Sequence, residues 1–466
     1  MSATARPSAD LQQLRPTFSG ELFEPGDAGY DVARTAWNLA VDQRPAAVAR
    51  PRTAEDVQAI VAFARERGLR IAPQGTGHNA APLAHGGLEE TVLLRTDLMR
   101  DVRIDPLRRR ARAEAGALWI DVAAPASELG LAALAGSSPD VGVVGYCLGG
   151  GMGWLARKLG LAANSVTAIE LVTADGRFLR VDDEHEPELF WALRGGGGSY
   201  AIVTAIELEL FPLAEVYAGA MLWPWERASE VLHAWREWTA ELPDEVTTSA
   251  RIVQVPPFPD VPEALRGRQF VVIDGAVMGD QDEAERLLAP LRALEPEIDM
   301  FAMVPPVALS RIHMDPEQPV PGLGSHAMLG GLPAEAIDAF VAVCGAASGS
   351  PLLVAELRHV GGALGRIPAG AGALGRIAAD YVLFMVGVPA DEQVGAAIVE
   401  RIDMLLDAMS PYCTGGSYLN FAEQPTNTAS AFSDDAYAAL QAVKAAYDPT
   451  DLIQANNPVP AAATAS

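Results

Sequence analysis

Cysteine is scarce. Cys147, Cys344 and Cys413 are three thiols in 466 residues, an odd number with neither CxxC nor His/Cys ligand spacing. That speaks against a disulfide scaffold and against structural zinc. Positive charge is short as well: Lys and Arg total 34 against 60 Asp and Glu, a formal net charge of −26, with one short basic run at Arg108-Arg109-Arg110 and Arg112. Nucleic acid and anionic membrane both reward larger clusters of cations, so neither is an expected partner. No run of about 18 uncharged apolar residues occurs, and the opening MSATARPSADLQQL has no apolar stretch after a basic start. Neither a membrane span nor a secretory signal is read here, and the expected location is cytoplasmic. Gly-x-Ser-x-Gly and Walker loops are missing too, which removes the commonest hydrolase and NTPase readings. Half of the residues are hydrophobic, so the chain can bury a substantial core, and its length suggests two or three domains.

Glycine is plentiful, and it is clustered. Gly149-Gly150-Gly151-Met152-Gly153 and Gly195-Gly196-Gly197-Gly198 share the chain with Gln74-Gly75-Thr76-Gly77-His78. Glycine inside folded structure costs up to about 1 kcal/mol relative to alanine. Three such runs point to backbone that must approach a ligand closely, one large enough to carry phosphates.

The pattern before Phe211 reads as short strands and helices. A strand at 47–50, a helix at 53–67 opened by Pro51 and Thr53 and closed by Gly68, and a strand at 69–72 form a β-α-β unit that delivers His78 at a strand end. Strands at 91–94 and within 101–115 precede a helix near 118–129. Residues 136–153 read as a long loop whose one charged side chain is Asp140. A hairpin spans 166–181 around Asp175-Gly176, and 199–210 alternates as a strand. From 213 the style shifts to amphipathic helices near 226–241, 281–294 and 333–346, interleaved with strands such as 268–272, as in a second α+β domain. A last helix at 433–447 stops at Tyr447-Asp448-Pro449, and the final Ala/Thr/Ser residues are expected to be disordered.

The ordered set QGTGH (74–78), GSSPDVGVVGYCLGGGMG (136–153), RKLGLAANSV (157–166), TADG (173–176) and ELFWALRGGGGSYAIVT (188–204) carries the chemistry. Together these motifs resemble the flavin-binding domain of the vanillyl-alcohol oxidase / p-cresol methylhydroxylase superfamily, and within it the berberine-bridge-enzyme-like FAD-linked oxidases. Tyr418-Leu419-Asn420-Phe421 and the stretch from Tyr447 to Asn456 resemble that family's C-terminal element. The resemblance implies FAD lined by Gly75, Thr76, Gly77, Gly142, Gly145 and Val203, with Ser138, Asp140, Val141, Gly149, Gly150 and Asn456 also at the cofactor. It implies a covalent bond from His78 to the flavin. Many relatives carry a second tether, a cysteine in a GxCPxVG loop; Ser138 stands at that position, so a single attachment is expected. Consecutive N–H groups of glycine-rich turns can themselves hold a pyrophosphate, and no basic side chain is needed.

Other readings of these residues differ in what they require. By itself His78 is a turn histidine donating a hydrogen bond. Gly75-x-Gly77-x-x-Ala80 with Asp97 imitates a dinucleotide fingerprint, but Pro82 and Gly86-Gly87 would break the helix that must open at the last glycine. His313 and Asp315 lack a third ligand at readable spacing and lie near Pro316 and Pro319, so no metal is expected. For the catalytic base the first choice is Tyr418, which resembles the head of the family's Y-x-N-Y strand facing the flavin; Phe421 replaces the second tyrosine. A tyrosinate can take a hydroxyl proton while hydride leaves. The alternating strand Glu356-Leu357-Arg358-His359 offers Arg358 and His359 as further catalytic candidates, with a structural Glu356–Arg358 ion pair as the plainer role.

The expected architecture is a two-domain α+β flavoprotein: a PCMH-type FAD-binding domain at 1–212 (core about 43–212), a substrate domain at 213–415 with an antiparallel sheet covered by helices, and a segment at 416–460 returning to the first domain. The expected reaction is oxidation of a small alcohol, amine, sugar or natural product, with electrons passed to oxygen. A dehydrogenase using another acceptor, and a non-catalytic flavin-binding protein, are the alternatives.

Overall fold

Thr53 and Gly68 bracket the first long helix as their chemistry requires. In the computed structural model, which describes residues 11–259 and 261–462, the Thr53 hydroxyl accepts the Asp56 N–H at 3.2 Å. This helix, α1 (Ala54–Arg67), buries Val57, Ile60, Val61 and Ala64 against a sheet of β1 (Glu21–Phe23), β2 (Ala47–Arg50), β3 (Arg70–Gln74) and β4 (Thr91–Arg95). The order is β1-β2-β4-β3, with β2, β4 and β3 parallel. Because β3 ends at Gln74, the Gly75–His78 turn emerges at the carboxyl end of a parallel strand, where ligands of α/β sheets collect.

An antiparallel sheet follows, built from β5 (Val102–Asp105), β6 (Arg110–Glu114), β7 (Val166–Thr173), β8 (Phe178–Val181) and β9 (Ala201–Glu209) in the order β5-β6-β9-β7-β8. The β7–β8 hairpin turns at Asp175-Gly176, where Gly176 has φ 91°. Two helices, α2 (Trp119–Glu128) and α3 (Val143–Leu148), flank this part. The second is a correction: residues 136–153 are not loop throughout, because Val143, Val144 and Cys147 find a core to bury into. A single helical turn, Ala81–His85, also forms despite Pro82, since proline near a helix start sacrifices no intrahelical bond.

The third sheet is antiparallel. Its main strands are β10 (Val216–Pro224), β11 (Val246–Gln254), β12 (Gln269–Val277), β13 (Leu323–Leu329), β14 (Val354–His359) and β15 (Tyr381–Gly387), in the order β10-β12-β11-β14-β15-β13. Helices α4 (Ala228–Thr239), α5 (Gln281–Arg292), α6 (Ala334–Cys344) and α7 (Glu392–Met409) cover one face with Trp235, Leu288, Phe340 and Ile398. Side chains alternate across a strand, so Ala355 and Leu357 of β14 join that helix-covered core while Glu356 and Arg358 point to the opposite face. That opposite face is the one turned toward the glycine-rich loops.

The C-terminal segment ties back to the first sheet. Ile71 N–H donates to Leu452 O and Gln454 N–H to Ile71 O, both at 2.8 Å. The preceding helix α8 (Asp434–Tyr447) places Lys444 in the interior, where its ammonium meets Asp448 at 2.6 Å and the Ser199 carbonyl at 3.0 Å. The stretch expected to be disordered falls mainly on 463–466, outside the described residues.

Candidate active site and cofactor cradle

The turn after β3, the loop after Gly136 and the bend at Trp37 converge. Trp37 N–H donates to Thr76 O at 3.0 Å, and a Cβ placed on Gly142 would lie 3.7 Å from the Thr76 methyl. A cavity of about 510 Å³ opens there, lined by Trp37, Gly75, Thr76, Arg95, Gly116 and Asp140. Inside this corner His78 Nδ1 lies 2.8 Å from Thr76 Oγ1 and His78 Nε2 faces Asp140 Oδ1 at 3.7 Å. The Trp37 indole stacks on the imidazole, with centroids 4.1 Å apart and planes 18° from parallel. Its N–H donates to Asp140 Oδ2 at 2.5 Å, and Ser138 Oγ donates to Asp140 Oδ1 at 2.8 Å. Burial pushes the Asp140 carboxyl up, but His78, Ser138 and Trp37 outweigh burial and hold it below its ordinary value.

The residues present fit a large polar cofactor. Among the described residues, buried His78 Nε2, Asn79 Oδ1 and the Tyr146 hydroxyl have no hydrogen-bond partner, an arrangement native structures rarely tolerate without a ligand or water. A Cβ on Gly145 would meet nothing within 4 Å, so that exposed glycine presents bare backbone to the cleft. Val203 is buried in the core behind the cradle, and Asn456 reaches it indirectly, donating to Asn79 O at 3.3 Å.

Gly149 and Gly150 pack against the Tyr418–Phe421 segment. A Cβ on Gly149 would fall 1.8 Å from Asn420 Oδ1, and one on Gly150 would lie 3.5 Å from the Tyr418 ring. The glycine run thus admits the Tyr418–Phe421 segment, which is a 3-10 turn at Leu419–Phe421 rather than a strand. This segment also meets the His78 corner: Asn79 Nδ2 donates to Leu419 O at 2.9 Å. Tyr418 is 1% exposed. Its hydroxyl accepts from Asn420 Nδ2 at 3.3 Å. Burial pushes its pKa well above the ordinary phenol value, while Asn420, Arg358 and the N–H groups of Gly151 and Met152 pull the other way.

Arg358 joins this cluster and His359 does not. The Arg358 guanidinium lies 5.4 Å from the Phe421 ring centroid and 5.7 Å from that of Trp154, with its Nε donating to Glu356 at 2.7 Å. His359 projects to the other face, stacked on Tyr381 at 5.2 Å with Arg157 3.2 Å from its Nε2. Burial and then Arg157 push its imidazole down to about 3. Trp37, Asn79 and Tyr146 escaped sequence reasoning. Of these, only Asn79 had a signal, its place directly after His78.

Arg358 is also part of a wider network. Asp274 accepts from Arg251 at 2.5 Å, from His313 Nδ1 at 2.8 Å and from Ser249, while His313 Nε2 is 3.4 Å from Glu356. His313, read from the sequence as one of two isolated loop groups, is thus an ion-network residue under the sheet.

Fold and site together make a two-domain α+β protein in which the glycine-rich turns meet one face of the large antiparallel sheet. The family described as an FAD binding domain matches residues 45–182. (R)-6-hydroxynicotine oxidase of Paenarthrobacter nicotinovorans is 36% identical over 208 residues, 44% of this chain and 45% of that protein. The chain matches about half the length of this and the next curated relative. Among solved structures, 6-hydroxy-D-nicotine oxidase from Arthrobacter nicotinovorans superposes with a TM-score of 0.80 at 27% identity, covering 94% of this chain and 96% of that one. Berberine bridge enzyme from Eschscholzia californica has the same fold, with a TM-score of 0.82 at 17% identity over 97% of this chain and 99% of that one. The chain is similar to this FAD binding domain over the matched residues and shares the fold of these flavoproteins. None of its described helices is long and apolar enough to cross a membrane.

Proposed function

We propose that this protein is an FAD-linked oxidase that removes hydride from a small alcohol, amine, sugar or natural product, with dioxygen as acceptor and hydrogen peroxide as product. The carrying observation is Tyr418, a buried hydroxyl set among N–H donors on a segment bonded to the residue after His78. FAD, when bound, supplies the hydride acceptor and the route of electrons to dioxygen. Gly75, Thr76, Gly77, Gly142 and Gly145 hold it, Ser138, Asp140 and Val141 form the facing wall, and His78 is its one covalent anchor. Gly149, Gly150, Val203 and Asn456 act behind this layer. Tyr418 takes the substrate's hydroxyl or ammonium proton; an alkoxide or free amine is the better hydride donor. Arg358, held by Glu356 over Phe421 and Trp154, lines the substrate side. The setting is cytoplasmic, and neither nucleic acid nor membrane is a partner.

Hydrogen peroxide release across a panel of alcohols, amines and sugars tests the reaction. Turnover with an artificial acceptor but none with oxygen would make the protein a dehydrogenase. His78→Ala should abolish covalent attachment and leave loosely bound FAD, read as loss of the fluorescent band on a denaturing gel. A band that persists places the anchor on another residue. Gly149→Ala must expel the Asn420 amide from its place beside Tyr418. Losing one hydrogen bond to a charged group costs about 1.5–3 kcal/mol, so flavin reduction should slow about 10- to 100-fold in stopped-flow measurements.

A further inference from the structure

We infer that Asp140 is a positioning residue for cofactor attachment: it fixes the His78 tautomer with the proton on Nε2, so that Nδ1 forms the bond to the flavin. The inference rests on the reading of His78 as the anchor and adds what selects the nitrogen. Every group around the ring contributes. Asp140 Oδ1 faces Nε2 at 3.7 Å, and among the described residues that buried nitrogen has no hydrogen-bond partner. The carboxylate itself is fixed by the Trp37 N–H at 2.5 Å and the Ser138 hydroxyl at 2.8 Å. On the opposite side of the ring, Thr76 Oγ1 stands 2.8 Å from Nδ1, and Trp37 covers one face at 4.1 Å.

The two neutral tautomers are not equivalent in this setting. With the proton on Nδ1, a nitrogen lone pair at Nε2 would face a carboxylate oxygen in a buried corner, a repulsive arrangement without compensation. With the proton on Nε2, the N–H dipole points at Asp140 and the Thr76 hydroxyl donates to the Nδ1 lone pair. A carboxylate that holds an imidazole in one tautomer also stabilises the positive charge the ring acquires when its other nitrogen reacts. Attachment then balances as follows. The methyl group on the flavin's benzenoid ring loses a proton, and Nδ1 bonds to the methyl carbon. The proton on Nε2 is shared with Asp140. The two electrons left on the flavin pass to dioxygen, the oxidant, which with two protons leaves as hydrogen peroxide.

The test uses full-length protein prepared under riboflavin starvation and supplied with FAD in air. Non-covalent binding is followed by quenching of FAD fluorescence, and attachment by fluorescence of the denatured band over time. With FAD saturating, as judged from the quenching titration of each protein, Asp140→Asn should attach it about 10- to 100-fold more slowly than the parent, the range in which loss of a proton-handling group falls. Trp37→Phe keeps the stacked ring but removes the donor to Asp140 and should slow attachment in the same direction, by less. NMR of the isolated flavin peptide should show linkage through Nδ1. Attachment at the parent rate in Asp140→Asn, or linkage through Nε2, overturns the inference while His78 remains the anchor. Parent protein that releases all its flavin on denaturation overturns the anchor itself, and the inference with it.

Discussion

Tyr418→Phe should bind FAD normally and reduce it roughly 10²–10⁴-fold more slowly with substrate, the span that general-base catalysis contributes. The phenol is 1% exposed, so the substitution removes one oxygen from a packed site without opening a cavity. What it removes is specific: the hydroxyl accepts from Asn420 at 3.3 Å, and Gly151 and Met152 direct N–H groups at it. Donors of this kind favour the ionised oxygen, as in an oxyanion hole. Burial is the larger effect and raises the group above its ordinary value. The parent's reduction rate should therefore climb with pH from neutrality into the alkaline range, because the base acts in its ionised form, whereas Tyr418→Phe should lose that rise. An unchanged rate in the variant would shift the proton transfer to the Glu356–Arg358 pair on β14.

How much of this was legible in the sequence follows from how local each signal is. Thr53, Gly68 and Asp175-Gly176 act on their own neighbours, and the elements they bracket appear where the pattern put them. Period-two alternation placed Glu356 with Arg358 and sent His359 to the other face, as the coordinates show. The Tyr418 segment was found but mistaken for a strand. Its backbone is shaped by the glycine run more than 260 residues earlier, a constraint without a local trace. The same reason hid α3: Val143 and Val144 look like loop apolar residues until the core of the second sheet exists to receive them. Trp37 lies outside every motif and acquires its role only when the chain brings it onto His78. The Asp274 network was invisible because its members are spread from β11 to β14.

That network sets the second large effect. Asp274 is fully buried and accepts from Arg251 at 2.5 Å and His313 Nδ1 at 2.8 Å. Asp274→Asn keeps the shape but removes the charge that answers two buried cations. Deleting one partner of a buried ion pair typically costs about 3–5 kcal/mol, and a loss of that size is expected in urea unfolding at pH 7. The pH dependence gives a second readout. Burial and Arg251 press the His313 imidazole down, but Asp315, Asp274 and Glu356 together outweigh them and push it up to about 9. A group raised in the folded state contributes stability that is fully present below its unfolded value and disappears as pH rises through the folded one. The parent should thus lose stability between about pH 6.5 and 9 from this group, and Asp274→Asn should lose its remaining share at lower pH, with one raising carboxylate gone. A variant within about 1 kcal/mol of the parent would mean that Arg251 and His313 find other partners. The consequence reaches the active site through Glu356, which stands 3.4 Å from His313 and accepts from Arg358 at 2.7 Å. When His313 loses its proton, Glu356 is left to Arg358 alone. Substrate affinity in Asp274→Asn should therefore shift through the guanidinium over Phe421, while Tyr418, held from the glycine run, keeps its part in proton transfer.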